Sequence, residues 1–224
     1  ITVDARQEQA LKGQHVLITS GATWEAIDPV RGISNPASGK QGLALYHVFK
    51  AAGAKVHVVA GWRHVGVNEI VDAIHVKSAN DMYAAVMHIL EVQDIDIMIA
   101  AAAVSDWKVA EVQAHKEKKS GQRRLLELVS TVDILKTVGQ SKKRPKTLIG
   151  FAAETQDIEV YAKEKCKAKN LDLIVANQVG ESQGFNQDEN SVTLIDRKGN
   201  SQDLNKQSKT AIAEHLLQWI LGKD

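Results

Sequence analysis

The feature that most constrains this chain is the stretch 19–42, which is rich in glycine and lies between two segments of clear character. Residues 15–19 form an aliphatic, β-branched run typical of a strand, and residues 43–52 have apolar positions at helical spacing. The stretch is therefore a long strand-to-helix loop, where open α/β sheets bind their ligands. Ser38 is the predicted N-cap of the following helix, whose free N–H groups favour an anion, although an ordinary connecting loop with a capped helix remains an alternative.

Two common phosphate-binding loops do not fit the stretch. A Walker A loop places four residues between its glycine and its Gly-Lys pair, whereas residues 33–38 separate Gly32 from Gly39 here. Gln41 also stands where the magnesium-binding hydroxyl belongs. A Rossmann fingerprint needs a second glycine two residues after the first, and Gly21 has none. Both readings fail on spacing.

A longer pattern in this stretch closely resembles the signature loop of the phosphopantothenoylcysteine synthetase family. The matching positions run without a gap and read Gly21-x-Thr23-x-Glu25-x-Ile27-Asp28-Pro29-Val30-Arg31-x-Ile33-Ser34-Asn35-x-x-Ser38-Gly39-Lys40-x-Gly42. This chain departs from the family by having Ala22 where proline is usual and Pro36-Ala37 where His-Ser is usual. The resemblance covers nearly all of residues 14–222, including Gly-Phe-Ala-Ala-Glu-Thr at 150–155 and a Gly-Phe-x-x-Asp-x-Asn pattern at 184–190.

Composition narrows the setting in which the chain works. Its 224 residues carry a net charge of +1, which gives no argument for a nucleic acid or membrane partner. The single cysteine fits a reducing compartment, and no apolar run approaches the length of a membrane span, so we expect a cytoplasmic protein. The chain begins with Ile1 rather than Met, as expected of a domain excised from a longer protein.

Apolar runs that alternate with helical patterns predict an α/β fold, with a Rossmann-like, mostly parallel sheet covered by helices on both faces. A C-terminal β-hairpin and a helix over 206–221 complete it. Ser78 or Asn80 is predicted to cap a helix over 82–90, and Thr131 one over 132–139. The predicted organisation is an N-terminal lead-in at 1–13 and a single synthetase domain at 14–224, with a mobile flap at about 107–124 and a hairpin region at about 184–204.

Small residues at the end of the strand 95–101 would let a ligand approach the backbone, and Asp106 adds an acceptor beside it. Close helix packing is the alternative for these alanines, and a place in the core is the alternative for Phe151. Lys165 and Lys169 are spaced to lie on one helix face, where an anion would relieve their repulsion. The resemblance implies that the nucleotide contacts are Ala100, Ala101, Ala102, Asp106, Lys116, Val132, Asp133, Ile134, Leu135, Phe151, Lys165 and Lys169.

The cation-rich segment within 107–124 contains Lys116, Lys118 and Lys119. Its low apolar content prevents packing, and a solvated charged turn is the plain alternative. The resemblance implies a flap whose lysines close over a triphosphate and exclude water from an activated intermediate. Lys116 is the first choice for a catalytic side chain, and Lys118 is a weaker one.

The resemblance implies ligation of 4′-phosphopantothenate to L-cysteine. The pantothenate carboxylate would attack the α-phosphate of CTP and release pyrophosphate, and the cysteine amine would then displace CMP from the acyl-cytidylate. Asn35 would be catalytic by hydrogen-bonding the acyl carbonyl, Ala103 would contact substrate, and Arg31 could clamp the substrate phosphate. Mg²⁺ would bind the nucleotide phosphates, since the sequence has no protein metal cage. The family also implies a homodimer and, in bacteria, fusion to a flavin-dependent phosphopantothenoylcysteine decarboxylase.

Two other functions stay open. Tyr161-x-x-x-Lys165 has the spacing of short-chain oxidoreductases, which would bind NAD(P) tightly, although Tyr161 is more simply a packing residue. A non-catalytic nucleotide-binding protein would bind CTP without turnover. The flap lysines and the context of Asp106 resemble the CTP-using rather than the ATP-using members of the family. Cys166 is predicted to be a buried or incidental thiol.

Overall fold

The computed structural model describes residues 8–62, 66, 69–70, 72–116, 118, 121, 123–154, 158–178 and 189–223. Their elements are, in chain order, β1 (His15–Ser20), β2 (Trp24–Ala26), β3 (Gly32–Ser34), α1 (Lys40–Ala51), β4 (Lys55–Ala60), β5 (Ile74–His75), α2 (Ala79–Val92), β6 (Ile97–Ala100), β7 (Trp107–Val109), β8 (Leu128–Ser130), α3 (Ile134–Gln140), β9 (Thr147–Glu154), α4 (Ile158–Ala168), β10 (Leu173–Gln178), β11 (Glu189–Asp196), β12 (Ser201–Ser208) and α5 (Lys209–Leu221).

Eight strands form the main sheet in the order β12-β11-β10-β9-β6-β1-β4-β5. The strands from β10 to β5 are parallel, whereas β11 and β12 form an antiparallel hairpin at one edge. The ribbons β2-β3 and β7-β8 stand apart as two-stranded sheets. The predicted Rossmann-like α/β fold, with its C-terminal hairpin and helix, is confirmed.

Alternating strand residues feed two apolar clusters on opposite faces of the sheet. Val16 and Ile18 of β1 pack in the cluster with α1 and α5, whereas Leu17 between them packs in the cluster with α2, α3 and α4. This alternation follows from strand geometry, because successive side chains point to opposite faces. Both faces are therefore covered, which explains why the inner strands are almost wholly apolar.

The N-caps of three helices show where local sequence signals determine the start of a helix and where they do not. Of the two predicted caps, Ser78 caps α2 through a capping box shared with Asp81, and Asn80 lies inside the helix, which starts at Ala79 rather than residue 82. Ser38 does not cap α1, because the N-cap is Gly39 with a φ of 82° and no side-chain capping bond. Thr131 does not cap the third helix either. Asp133 does so, and its side chain accepts a bond of 2.9 Å from the Lys136 N–H.

The described part of the lead-in is packed on the domain and is not a frayed end. Leu11 is fully buried in the cluster with α1, and its N–H donates to the Ala52 carbonyl at 2.9 Å. One apolar residue in a polar segment thus joins 8–13 to the domain. Residues 1–7 lie outside the described residues. At the other end, α5 begins at Lys209 instead of residue 206, because residues up to Ser208 continue β12.

The described helices, from α1 to α5, are too short or too polar to cross a membrane.

Two histidines meet at the start of β1 and β4, where Nδ1 of His15 lies 3.3 Å from Nε2 of His57. Burial and the neighbouring His15 and Lys55 lower the pKa of His57 below 6.5. The folded state therefore resists a proton that the unfolded chain accepts. We predict that the free energy of unfolding falls as pH drops from 6.5 through the lowered pKa, and then levels off.

Urea unfolding from pH 5 to 8 measures this loss, with His57→Gln as the matched variant. The variant should flatten the profile over this interval. An unchanged profile would show that His57 does not cause it.

Candidate active site

Two adjoining cavities lie at the carboxyl ends of β1, β6, β9 and β10. The α4 cavity, of about 520 Å³, is lined by Thr19, Asn35, Ala100, Ala102, Ala103, Val104, Asp106, Trp107, residues 130–135, Phe151, Ala152, Ala153, Lys165, Lys169, Leu171 and Ile174. The α1 cavity, of about 140 Å³, is lined by Gly21, residues 37–42, residues 101–103, Phe151, Ala152, Ala153, Asn177, Asn190, Val192 and Lys209. The two cavities share a wall made of Ala102, Ala103 and residues 151–153.

The signature loop, residues 19–42, is bonded to the segment 101–106, here called the crevice loop. The Ala103 N–H donates to the Gly21 carbonyl at 2.8 Å, and the Thr23 N–H donates back to the Ala103 carbonyl at 3.3 Å. The Ser105 N–H donates to Thr23 Oγ1 at 2.9 Å. Hydrogen bonds from the signature loop thus fix the position of the wall that the two cavities share.

Asn35 lines the α4 cavity and also contacts the crevice loop. Its Nδ2 donates to the carbonyls of Ala103 and Val104, at 3.1 and 3.3 Å. The amide nitrogen that was expected to face a ligand therefore holds backbone carbonyls in this structure. To donate to a substrate, Asn35 would have to exchange one of these bonds.

Arg31 does not line either cavity. Its Nε donates to Asp28 Oδ2 at 2.8 Å, and its Nη2 contacts the same carboxylate atom. The backbone N–H groups of Val30 and Arg31 donate to the other oxygen, Oδ1, at 2.8 Å each. The Arg31 side chain and these N–H groups hold the pKa of buried Asp28 at about 2. In this structure Arg31 closes the β2-β3 turn.

The first turn of α1 borders the α1 cavity. Gly39, Lys40 and Gln41 line it, and Lys209 at the start of α5 faces them across the cavity. Gln41 Nε2 donates to the Lys209 carbonyl at 3.0 Å and so bridges the two helix starts. N–H groups at a helix start favour an anion.

The α4 cavity brings together most of the nucleotide contacts expected from the sequence. Ala100, Ala102, Asp106, residues 132–135, Phe151, Lys165 and Lys169 line it, whereas Ala101 lines the α1 cavity. Lys169 Nζ pairs with Asp133 Oδ2 at 2.9 Å. Ala100 and Ala102 also pack against the cluster with α2, so helix packing and cavity lining both apply to them.

The segment expected to form a flap, about 107–124, begins with β7, in which Trp107 pairs with Ser130 of β8, and ends before β8 starts at Leu128. Lys116 and Lys118 are exposed, and neither lines the two cavities. Lys119 lies outside the described residues. Near the flap's start, the Gln113 N–H donates to the Ile27 carbonyl at 3.0 Å, which links the flap to the signature loop.

Three further residues show how the structure differs from, or agrees with, the sequence-based expectations. Lys209 was missed, and its only signal was its place directly after the helix cap Ser208. Tyr161 is 45% exposed, so the expectation that it packs is wrong: Ala162 and Cys166 form the buried side of α4. Cys166 is buried, as expected, and burial raises the pKa of its thiol to about 11.

Metal-binding side chains do not cluster in the part of the chain that the structure describes. No group of three or more His, Cys, Asp or Glu side chains gathers there. Residues 155–157 and 184–188, which belong to two of the sequence patterns, lie outside those ranges.

The fold and the cavities define a class of protein: a Rossmann-like α/β domain with two adjoining cavities, bordered by lysines, at the carboxyl ends of its parallel strands. Residues 11–223 match the family described as the DNA/pantothenate metabolism flavoprotein C-terminal domain, and the chain belongs to that family.

Similar proteins agree with this assignment. The chain is 42% identical to the coenzyme A biosynthesis bifunctional protein CoaBC of Haemophilus influenzae over 217 residues, which cover 97% of this chain and 54% of the relative. It is 45% identical to the CoaBC of Bacillus subtilis over 214 residues, or 94% and 52% of the two chains. A crystal structure of a CoaBC C-terminal domain superposes with a TM-score of 0.78 at 36% identity, covering 96% of this chain and 97% of that one. The chain spans about half the length of the curated relatives it matches.

Gly42 gives a test of how α1 is seated beside the crevice. A Cβ at this position would overlap the Ser20 side chain at the end of β1. We predict that Gly42→Ala lowers the free energy of unfolding by about 1–3 kcal/mol, because overpacking forces the helix start away from the strand.

Thermal and urea unfolding measure the effect, with Gly222→Ala as the control. At Gly222 the nearest atom to a new Cβ lies at 3.4 Å, an ordinary contact. Equal stability of Gly42→Ala and the wild type would show that α1 is not held by this contact.

Proposed function

We propose that this chain is a phosphopantothenate–cysteine ligase domain, which joins 4′-phosphopantothenate to L-cysteine with CTP. The observation that carries the proposal is the shared wall: two separate cavities meet at Ala102, Ala103 and residues 151–153. Such an arrangement brings a nucleotide and a second substrate to one reacting point. The names of the relatives, which concern coenzyme A biosynthesis, and the family's signature loop support this choice.

The α4 cavity is the proposed nucleotide site. Its floor of small residues allows a close approach to the backbone, and Phe151 offers a ring face to the base. Lys165 and Lys169 would offset phosphate charge, and the phosphate would compete with Asp133 for Lys169. Mg²⁺ would bind the triphosphate oxygens and neutralise part of their charge. The flap lysines favour CTP over ATP through the family resemblance alone.

The α1 cavity is the proposed site of 4′-phosphopantothenate. The start of α1, with Lys40 and with Lys209 from α5, would attract the substrate phosphate. This assignment replaces the expected role of Arg31, whose guanidinium is turned to Asp28. The substrate carboxylate would then point to the shared wall near Ala103 and Asn35.

The chemistry needs no nucleophilic side chain, because a carboxylate is already a competent nucleophile. Its oxygen would attack the α-phosphorus of CTP, and the bond to the β-phosphate would break to release pyrophosphate. The cysteine amine, after losing a proton, would attack the acyl carbon, and CMP would leave with the bonding electrons. Asn35 would stabilise the oxyanion, and Lys116 would reach the phosphates if the flap closes.

The proposed assembly is a cytoplasmic homodimer. The ribbon β7-β8 and its flank expose Trp107, Leu125, Leu126, Leu128 and Val129, with Leu125 at 95% exposure. Two-stranded ribbons are marginally stable alone, and an exposed apolar patch marks a contact surface. The family resemblance implies a homodimer without saying which surface forms it, and we assign this exposed apolar surface to the second copy of the chain. The bifunctional names and greater length of the relatives support fusion to a decarboxylase domain.

Pyrophosphate release tests the proposed function. We predict release from CTP that requires 4′-phosphopantothenate, does not require cysteine, and is slower with ATP. CTP binding without release would instead indicate a non-catalytic nucleotide-binding protein. Tight NADPH binding without release would favour an oxidoreductase.

Asn35→Asp separates the two half-reactions. Because the variant replaces the amide donor with a carboxylate, we predict near-normal pyrophosphate release and amide formation slowed by about 10²-fold or more. Rapid-quench measurement of both steps gives the comparison. Equal loss in both steps would show that Asn35 acts through the crevice loop, to which its Nδ2 donates.

A further inference from the structure

A chain of hydrogen bonds runs from the signature loop through the crevice loop to the segment before α3. Thr23 Oγ1 accepts a bond of 2.9 Å from the Ser105 N–H, and the Ser105 carbonyl accepts one of 2.6 Å from Thr131 Oγ1. The Thr131 N–H donates to the Asp106 carbonyl at 3.0 Å. Thr23 is 0% exposed and Ser105 is 5% exposed, so the first bond is shielded from water.

Thr23 lies behind the ligand site and is not part of its surface. It lines neither cavity, whereas the segments joined through it contribute Asp106 and residues 131–135 to the α4 cavity. The Thr23 backbone is fixed as well, because its carbonyl accepts a bond of 2.6 Å from Ser34 Oγ. Any effect of the Thr23 hydroxyl on a ligand must therefore pass through the crevice loop.

The position of the crevice loop affects both cavities at once. Residues 102 and 103 belong to the wall that both cavities share. Asn35 bonds the loop at the part-buried carbonyls of Ala103 and Val104, whereas Thr23 holds it through a buried bond at the next residue, Ser105. Without the Thr23 acceptor, the Ser105 N–H would stay buried and unpaired unless the loop moved toward water.

We infer that Thr23 is a positioning residue, whose hydroxyl sets the crevice loop so that ligands in the two cavities meet in reactive alignment. The inference rests on the proposed function, because it concerns attack by a substrate carboxylate on a nucleotide α-phosphate. A shift of about 1 Å in such an alignment can cost about 10²-fold in rate. The affinity for each ligand is affected far less, because most of the lining of each cavity lies outside the crevice loop.

The test compares Thr23→Val, which keeps the shape and removes the hydroxyl, with Thr23→Ser, which keeps the hydroxyl. For Thr23→Val we expect kcat of pyrophosphate release to fall about 10²-fold, with each KM within about 3-fold of the wild type. Thr23→Ser should restore most of the rate. Thr147→Val is the control, because Thr147 is also buried but starts β9 at the opposite end of the sheet.

Hydrogen exchange gives a readout that does not depend on activity. In Thr23→Val, amide exchange over residues 103–107 should be faster than in the wild type, with β10 unchanged. If Thr23→Val does not fold, Thr131→Val tests the next bond in the chain, since Thr131 is only half-buried. It should slow pyrophosphate release in the same way.

Several results would overturn the inference. These are a wild-type rate in folded Thr23→Val, a Thr23→Ser rate as low as that of Thr23→Val, or an equal loss in Thr147→Val. If the wild-type chain releases no pyrophosphate, the proposed function fails. Hydrogen exchange then still decides whether the Thr23 hydroxyl holds the crevice loop, and unchanged exchange would reject that as well.

Discussion

The attachment of the signature loop to the crevice loop is the interaction on which both cavities depend. The backbones of Gly21 and Ala103 are joined by a bond of 2.8 Å, and Thr23 and Asn35 add side-chain bonds to Ser105, Ala103 and Val104. A loop after a sheet strand has few partners of its own, and here the neighbouring loop supplies them. The wall between the cavities is therefore set by the same residues that give the chain its most distinctive sequence.

The sheet explains why these two loops are neighbours. β1 lies beside β6 in the sheet and runs parallel to it. The loops that follow these two strands therefore leave the sheet side by side, at the carboxyl ends of the strands. α1 and α5 cover one face and α2, α3 and α4 cover the other, which brings the start of α1 and the lysines of α4 to one crevice. Gly42 allows α1 to start directly against Ser20. Open α/β sheets in general bind their ligands at the carboxyl ends of the strands.

Much of the fold was predictable because its signals are local and strong. β1 (His15–Ser20) was predicted to within one residue, and Ser78 was one of the two candidate caps of α2, since capping depends only on the neighbouring turn. The cap signals failed at Thr131, where a long-range contact decides, and at Ser38, where the next residue is the cap. Thr131 Oγ1 is used by the Ser105 carbonyl, and Gly39 takes a left-handed conformation that serves the helix start itself. Leu11 was missed because one apolar residue in a polar segment has no periodicity.

The parts of the candidate site that carry a sequence motif could be predicted. The parts that depend on contacts in the folded structure could not. Ala100, Ala102, Asp106, Phe151 and the two lysines of α4 line one cavity, as the family resemblance implied, whereas Ala101 lines the other. Arg31 is turned to a carboxylate only three residues away, a pairing that the spacing allowed but did not require. Lys209 reaches the site because the β11-β12 hairpin places the start of α5 beside the α1 cavity. No local sequence pattern reveals this placement.

The central claim is that the two cavities bring a carboxylate and a nucleotide together to form an acyl-nucleotide. Mass spectrometry of the chain incubated with CTP and 4′-phosphopantothenate, without cysteine, tests it most directly. The account predicts the mass of the 4′-phosphopantothenoyl-cytidylate, and its conversion to the cysteine amide and CMP when cysteine is added. An amide that forms with no such species at any time, or CTP that stays intact, would contradict the account.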